Sequence, residues 1–151
     1  MKTFSNITEI LDFAIGEEQA AVDFYLMLAA QSKSEDSKKM FREFAEEEMH
    51  HKVNLVNIKE TGAFLLSEQK VRDLKIAEYL VDVKPSSSMT YDEALILAMK
   101  KEKAAFKMYS NLAEEASDPA VKALFLQLAL EESKHKLRFE IEYDTVILKE
   151  N

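Results

Sequence analysis

The sequence contains no cysteine and no tryptophan, and it has only two glycines and two prolines among 151 residues. Without cysteine, disulfides, thiolate metal ligands and thiol nucleophiles are excluded. Sheets joined by tight turns, and glycine-rich loops that hold phosphates, need more glycine and proline than this. All-β folds and nucleotide-binding α/β folds are therefore excluded, which leaves an all-α chain.

Long apolar runs and an excess of positive charge are also missing. No apolar segment approaches the ~18 residues that a membrane span requires, and the N-terminal residues lack the apolar centre of a signal peptide. The 28 acidic and 20 basic side chains give a formal net charge of −8, which disfavours binding to nucleic-acid phosphates. We therefore expect a cytoplasmic protein that binds neither nucleic acid nor membrane. Its length predicts a single domain over residues 1–151.

Apolar residues recur at three- and four-residue spacing in four long segments, which is typical of amphipathic helices. The predicted helices span about 6–32, 35–61, 90–116 and 119–149. Their ends carry the expected local signals, namely a cap at Ser5 or Asn6, a left-handed Gly62, a capping box from Thr90 to Glu93 and an Asp118–Pro119 start.

The second and third helices are separated by a long connection over residues 62–89. Within it, residues 71–80 are predicted as one short helix and residues 84–88 as a loop. Two hairpins with tight turns, at about 6–61 and 90–149, joined by one long crossover describe a four-helix bundle. Whether the crossover gates access to a site or forms a dimer contact stays open.

The second half of the chain repeats the first at an offset of 84 residues, as from Glu18 to Glu102. Each half contains a Glu that is followed 30 residues later by Glu-x-x-His. The residues concerned are Glu18, Glu48, His51, Glu102, Glu132 and His135. Residues three apart share a face of a helix, and each of these six interrupts an apolar, core-facing stripe. We therefore expect a pseudo-symmetric cluster at the centre of the bundle.

Four buried carboxylates are very costly without compensating cations, and no Lys or Arg occupies the inward positions. Two divalent cations would balance the four carboxylates, and carboxylate with imidazole ligands suits iron or manganese. The alternative is a solvated face or a core satisfied without metal. Recurrence of the motif at equivalent positions of both repeats favours the dinuclear site.

The polar and aromatic residues near the six candidate ligands are predicted to have other roles. Tyr25 and Tyr109 lie on the same stripes as two candidate ligands. We expect them to donate hydrogen bonds to ligand carboxylates or to shuttle electrons, with simple core packing as the alternative. The remaining polar neighbours lie on more polar faces and are expected to be solvated. They are Glu17, Glu47, His50 and Glu131.

At these residues the chain resembles the ferritin-like superfamily, and within it the rubrerythrin-type di-iron domain. The resemblance covers about residues 7–139 and rests on the segment EQAAVDFY at 18–25 and on the two Glu-x-x-His units. It implies a ferritin-like four-helix bundle, a homodimer and a di-iron centre that reacts with hydrogen peroxide or dioxygen. It also implies that Glu48 and Glu132 bridge two iron ions held by the six residues above. A manganese or mixed pair suits the same ligand types.

Two features of rubrerythrins proper are missing from this sequence. A rubredoxin domain would need four cysteines, and a further Glu ligand would be expected one turn after Glu102, where residues 103–106 read Lys-Ala-Ala-Phe. We therefore expect an oxidase or peroxidase that receives electrons from an external donor such as a rubredoxin. The alternatives are a ferroxidase or iron-storage protein, and a bundle that its metal only stabilises.

Overall fold

The computed structural model describes residues 4–148, which contain helices and turns but no strand. The α-helices along the chain are α1 (Ile7–Gln31), α2 (Glu35–Thr61), α3 (Glu68–Leu74), α4 (Tyr91–Glu115) and α5 (Pro119–Glu142). α1 packs along α2 and α4 packs along α5, and the two hairpins meet with α1 facing α4 and α2 facing α5. This is the predicted all-α bundle of two hairpins joined by a crossover.

The ends of the long helices follow local signals in the sequence. Asn6, one of the two candidates, caps α1 by accepting a hydrogen bond from the N–H of residue 9 at 2.9 Å. Thr90 and Glu93 form the predicted capping box at the start of α4, and the Asp118 side chain caps α5. Gly62 ends α2 with a φ of 65°, a conformation that glycine adopts without steric cost.

The repeat in the sequence is also a repeat in the backbone. α1 and α4 begin at Ile7 and Tyr91, and α2 and α5 begin at Glu35 and Pro119, so both pairs keep the 84-residue offset. The two hairpins are therefore equivalent segment by segment, and the crossover lies outside the repeat. Within residues 4–148, no helix has the length and hydrophobicity needed to cross a bilayer.

The crossover differs from the single helix predicted over residues 71–80. α3 ends before Lys75, which has a left-handed φ of 50°, and a 3₁₀ turn follows at Ile76–Glu78. Val71 and Ile76 are both 2% exposed. Residues five apart on a continuous helix point about 140° away from each other. The break at Lys75 therefore lets both side chains reach the same core.

The last long helix, predicted to continue to about Lys149, also changes before its expected end. α-Helical hydrogen bonding stops at Glu142, and wider π-type turns cover Tyr143–Leu148; Lys149 lies outside the described residues. The buried Glu142 carboxylate accepts hydrogen bonds from the Ser37 hydroxyl at 2.8 and 2.9 Å and from the Tyr91 hydroxyl at 2.6 Å. These bonds attach the end of α5 to α2 and to the start of α4.

The hydrophobic core has two parts, one after the other along the bundle. One cluster contains Leu55 and Phe125, and the other contains Phe41 and Phe139. α2 and α5 each pass from one cluster to the other. Between the clusters, the buried positions of both helices are polar, a Glu and a His on each. This polar layer is the position that the sequence predicts for the metal ligands.

Candidate metal centre

The structure brings all six predicted ligands together in the polar layer between the two apolar clusters. Each is only 1–3% exposed, because it occupies a core-facing position of its helix. Glu18 comes from α1, Glu48 and His51 from α2, Glu102 from α4, and Glu132 and His135 from α5. On α2 and α5 the three-residue spacing places the Glu and the His on one face.

The six residues form two overlapping groups of four, and within each group the potential ligand atoms lie within 4.8 Å of one another. The groups are Glu18, Glu48, His51 and Glu132, and Glu48, Glu102, Glu132 and His135. Both groups contain Glu48 and Glu132, one from each hairpin. The arrangement therefore offers two adjacent candidate cation positions that share two carboxylates.

Every one of the six side chains has a buried atom with no hydrogen-bond partner in the part of the chain that the structure describes. These atoms are Oε2 of Glu18 and Glu102, Oε1 of Glu48 and Glu132, and Nδ1 of His51 and His135. A buried polar atom without a partner costs about 1–3 kcal/mol, and more when it is charged. Six of them in one layer indicate a site for a ligand, and carboxylate oxygens with imidazole nitrogens are a donor set that fits divalent metal ions.

The outward nitrogens of both histidines bind a carboxylate from the opposite hairpin. His135 Nε2 lies 2.5 Å from Glu47 Oε2, and His51 Nε2 makes the equivalent bond to Glu131. A proton on Nε2 that is donated to a carboxylate leaves the Nδ1 lone pair free to bind a metal. Both Nδ1 atoms face the centre of the layer, where His135 Nδ1 is 2.9 Å from Glu48 Oε1.

Glu47 and Glu131 are functional candidates that the sequence reasoning missed. Both were expected to be solvated, and their side chains are indeed 51% and 33% exposed. That expectation did not include the hydrogen bond that each of them makes with the histidine of the other hairpin. A signal was present, because both repeats read Glu-Glu-x-x-His and the two residues are repeat equivalents. His50 is exposed, as expected.

The two tyrosines contact the layer in different ways. The Tyr109 hydroxyl donates a hydrogen bond to Glu18 Oε1 at 2.5 Å, which is the contact expected from the sequence. The Tyr25 ring instead packs edge-on against the His135 ring, with centroids 6.2 Å apart. Phe44 stacks on the His135 ring, with 4.1 Å between the ring centroids. Tyr109 therefore orients a carboxylate, and Tyr25 and Phe44 orient an imidazole.

Burial and mutual repulsion raise the pKa of all four carboxyl groups in the layer. For Glu132, burial and then the charge of Glu48 raise the pKa to about 8. Burial acts to lower the pKa of His135, but the carboxylates of Glu102 and Glu48 beside the ring favour its charged form more strongly and raise the pKa to about 12. Without a cation, protons must balance the charge of the layer, and bound divalent metal ions would take their place.

The helical bundle and its layer of shared carboxylates and histidines define a class, namely ferritin-like proteins with a candidate dinuclear metal centre. The Rubrerythrin family model matches residues 9–143. This range includes all six candidate ligands and both tyrosines, and the chain belongs to the rubrerythrin family. Comparison with curated proteins and with solved structures gives no match.

Proposed function

We propose that the protein is a di-iron carboxylate oxidoreductase that reduces hydrogen peroxide or dioxygen with electrons from an external donor. The observation that supports it is the set of six buried donor atoms without partners, arranged as two groups that share Glu48 and Glu132. Membership of the rubrerythrin family supports the choice of iron, although the ligand types alone also suit manganese.

Two bound iron ions would supply Lewis acidity and one electron each, so that peroxide takes up two electrons and two protons and breaks its O–O bond to give two waters. The residues of the chain hold and orient this centre. Glu48 and Glu132 belong to both cation positions. Glu47 and Glu131 hold the histidine rings with Nδ1 facing inward.

The surroundings of the centre also favour redox chemistry over simple surface binding of metal. Apolar clusters pack on both sides of the layer, and they keep bulk water away from the ligands. In such a site the fixed charges and dipoles of the protein act more strongly than they do in water. Tyr109 keeps its proton there, because burial and the charges of Glu18 and Glu132 raise its pKa well above the usual value.

An external electron donor, such as a rubredoxin, is part of the proposal. These 151 residues contain no cysteine that could hold an iron centre of their own. Electrons would reach the centre most directly from the α2–α5 side, where a surface groove is lined by His135, Glu47, Lys134 and Arg138. Reduction of the oxidised protein by a rubredoxin, measured by absorbance, tests this partner.

A homodimer is also part of the proposal. It is supported by four apolar side chains on the outer face of α5, which are 42–56% exposed, namely Leu126, Leu130, Leu137 and Ile141. Their four- and seven-residue spacing places them in one stripe. Sedimentation equilibrium should give twice the 17.3 kDa chain mass for the native protein and the single chain mass for Leu130→Glu.

The test of the enzymatic proposal begins with metal analysis of protein purified without oxygen. The iron-loaded, reduced protein is then mixed with hydrogen peroxide or dioxygen in a stopped-flow spectrophotometer, and turnover is measured with a reductant. We expect about two irons per chain and catalytic consumption of the oxidant. Glu48→Ala, which removes a ligand of both positions, should abolish both. His135→Ala should lose the ion of one position and, with it, turnover, and Glu46→Ala, an exposed neighbour on α2, should change neither iron content nor turnover.

Each of the other possible outcomes would indicate a different function or none of these. Two metals without oxidation chemistry would leave a metal-stabilised bundle. A shell of many subunits that holds far more iron than two per chain would indicate storage. Protein that binds no metal under any loading condition would refute the metal centre itself.

A further inference from the structure

A series of aromatic rings leads from the candidate metal centre to one end of the bundle. It begins at His135, passes through three residues that are at most 2% exposed, and ends at a tyrosine. The centroids of successive rings are 6.2, 5.2, 5.8 and 6.3 Å apart in the order His135, Tyr25, Phe139, Phe41 and Tyr91. Electron transfer slows steeply with distance, so several short gaps carry an electron further than one long gap does.

The series ends at Tyr91, a partly buried residue at the start of α4. Its hydroxyl donates a hydrogen bond to Glu142 at 2.6 Å, and the Ser32 hydroxyl lies 3.2 Å from it. The Glu142 carboxylate is itself buried and also accepts a hydrogen bond from Ser37. A phenol loses an electron more readily when a base at hydrogen-bond distance takes up its proton, and Glu142 is placed to do this.

The internal repeat shows that packing alone does not require these groups. Their equivalents 84 residues away belong to the other apolar cluster, and all of them are apolar and at most 8% exposed. The pairs are Tyr91 with Ile7, Phe139 with Leu55, Glu142 with Ile58, Ser32 with Ala116 and Ser37 with Val121. A buried carboxylate is costlier than a buried isoleucine. The polar groups at this end of the bundle therefore indicate a role other than packing.

Tyr91 also differs from the tyrosine at the other side of the layer. Within residues 4–148, the Tyr109 hydroxyl donates to Glu18, a candidate ligand, whereas the Tyr91 hydroxyl donates to a carboxylate outside the metal layer. Burial and the hydrogen bond to Glu142 raise the pKa of Tyr91 above its usual value, so the phenol keeps its proton until an electron leaves. Tyr91 can therefore lose an electron and a proton without disturbing a ligand.

We propose that Tyr91 is a redox-active tyrosine that supplies one electron to the metal centre during the reduction of dioxygen, with Glu142 as its proton acceptor. This inference rests on the proposed function. Dioxygen takes up four electrons and four protons to form two waters, and two iron(II) ions supply only two of these electrons. Tyr91 supplies the third electron and the external donor supplies the fourth.

The step at Tyr91 breaks its O–H bond. The electron passes by way of Phe41, Phe139 and Tyr25 to the centre, and the proton moves along the existing hydrogen bond to Glu142, which leaves a neutral tyrosyl radical. The external donor then returns one electron to the radical and Glu142 returns the proton, which restores the phenol. When the donor is scarce, one oxidising equivalent is thus held at the end of the bundle, away from the ligands.

EPR spectroscopy tests the proposal directly. The iron-loaded, reduced protein is mixed with dioxygen and with one further equivalent of Fe²⁺, which supplies the fourth electron, and is frozen at set times. We expect a tyrosyl radical in the native protein and none in Tyr91→Phe. Tyr79→Phe is the matched control and should keep the radical, because Tyr79 is also partly buried but its hydroxyl accepts a hydrogen bond from the Asn111 amide.

Further variants separate the path of the electron from that of the proton. Phe41→Leu interrupts the series of rings and should lose most of the radical, whereas Phe125→Leu, the same change at the repeat-equivalent buried position, should keep it. Glu142→Gln can still accept the hydrogen bond from Tyr91 but is no longer a base. It should slow radical formation by about 10²–10⁴-fold, which is the usual contribution of a positioned base. Iron content and circular dichroism must match the native protein.

A second readout does not use the chemistry of the iron centre. The Zn²⁺-loaded protein is oxidised by azide radicals from pulse radiolysis, and since the sequence contains neither tryptophan nor cysteine, tyrosine is the most easily oxidised side chain. We expect the radical to settle on Tyr91, so that its EPR spectrum is lost in Tyr91→Phe and kept in Tyr79→Phe. A radical that settles on another tyrosine would contradict the role given to Tyr91.

The outcomes separate this inference from the proposed function. A native protein that reduces dioxygen without a tyrosyl radical, or whose radical persists in Tyr91→Phe, would overturn the inference and leave the function standing. A protein that reacts with peroxide but not with dioxygen would do the same. A native protein that reacts with neither oxidant would refute the function, and with it this use of Tyr91. If Phe41→Leu does not fold, Tyr91→Phe, which removes only a hydroxyl, still decides the question.

Discussion

The outward hydrogen bonds of the two histidines lead to a specific expectation for metal affinity. In Glu131→Gln and Glu47→Gln, the carboxylate that holds each Nε2 becomes an amide. An amide can donate its N–H to Nε2, which favours the tautomer with the proton on Nδ1, and that proton blocks the metal. We therefore expect each variant to weaken the cation position that contains the histidine it contacts: His51 for Glu131 and His135 for Glu47.

The expected loss of metal affinity follows from the role of these carboxylates, which orient a ligand histidine. Outer residues that orient a ligand histidine typically contribute 10–100-fold to metal affinity, which is about 1.4–2.8 kcal/mol at 1.4 kcal/mol per factor of ten. The Glu131 side chain is 33% exposed and that of Glu47 is 51% exposed. Solvent screens the more exposed charge more strongly. The loss should therefore be larger for Glu131→Gln than for Glu47→Gln.

The assay is an anaerobic titration of the protein with Co²⁺. Calorimetry measures the heat of binding during the titration and resolves the two binding steps. Native protein should show two steps, and each variant should keep one of them near the native affinity and weaken the other. Glu46→Gln is the matched control, because it makes the same charge change at an exposed position of α2 beside Glu47. Its two steps should match those of the native protein.

Three results would contradict this prediction. If both variants bind Co²⁺ with native affinity, the carboxylates do not orient the histidines. If Glu46→Gln weakens binding as much as Glu47→Gln, the effect is one of general negative charge near the site and not of the hydrogen bond. Equal weakening of both steps by one variant would show that the bonds act on the whole layer and not on one histidine.

Other expectations follow from the same geometry. Metal at 100 times its Kd should stabilise the fold by about 2.7 kcal/mol per site. For a chain of this length, that corresponds to a rise in Tm of about 5–11 °C. Calorimetry with and without chelator measures this rise, and an unchanged Tm would contradict the prediction. Glu48→Ala, which removes a ligand shared by both positions, should leave no bound metal by elemental analysis, whereas Glu18→Ala should retain one ion per chain; equal losses would mean that Glu48 is not shared. Phe139→Ala, at a fully buried position, should lower the free energy of unfolding in urea by about 3–5 kcal/mol, and Val53→Ala, at an exposed position of α2, should change it little.

Most of the bundle was predictable from local patterns along the chain. The apolar period places residues on one face of a helix, and the caps at Asn6, Thr90 and Gly62 set the helix ends, because these contacts involve only neighbouring residues. The repeat adds that the two hairpins are equivalent. For this reason the inward positions of the six candidate ligands could be inferred before any distance was known.

Contacts between hairpins were beyond the reach of these patterns. Periodicity placed Glu47 and Glu131 on polar faces, and it contains no information on how near the opposite hairpin lies. The break in the helix at Lys75 could not be predicted for the same reason, since it depends on where Val71 and Ile76 pack into the core. Likewise, the α-helical part of α5 ends at Glu142, where Ser37 and Tyr91 donate hydrogen bonds to its carboxylate.

Residue spacing along the chain is therefore enough to predict the four long helices, the repeat and the candidate ligands, because none of these depends on a distance across the bundle. The packed bundle is needed to show which carboxylates are shared and which nitrogen of each histidine faces inward. These features depend on distances across the bundle, and such distances are set by the packing of four helices together.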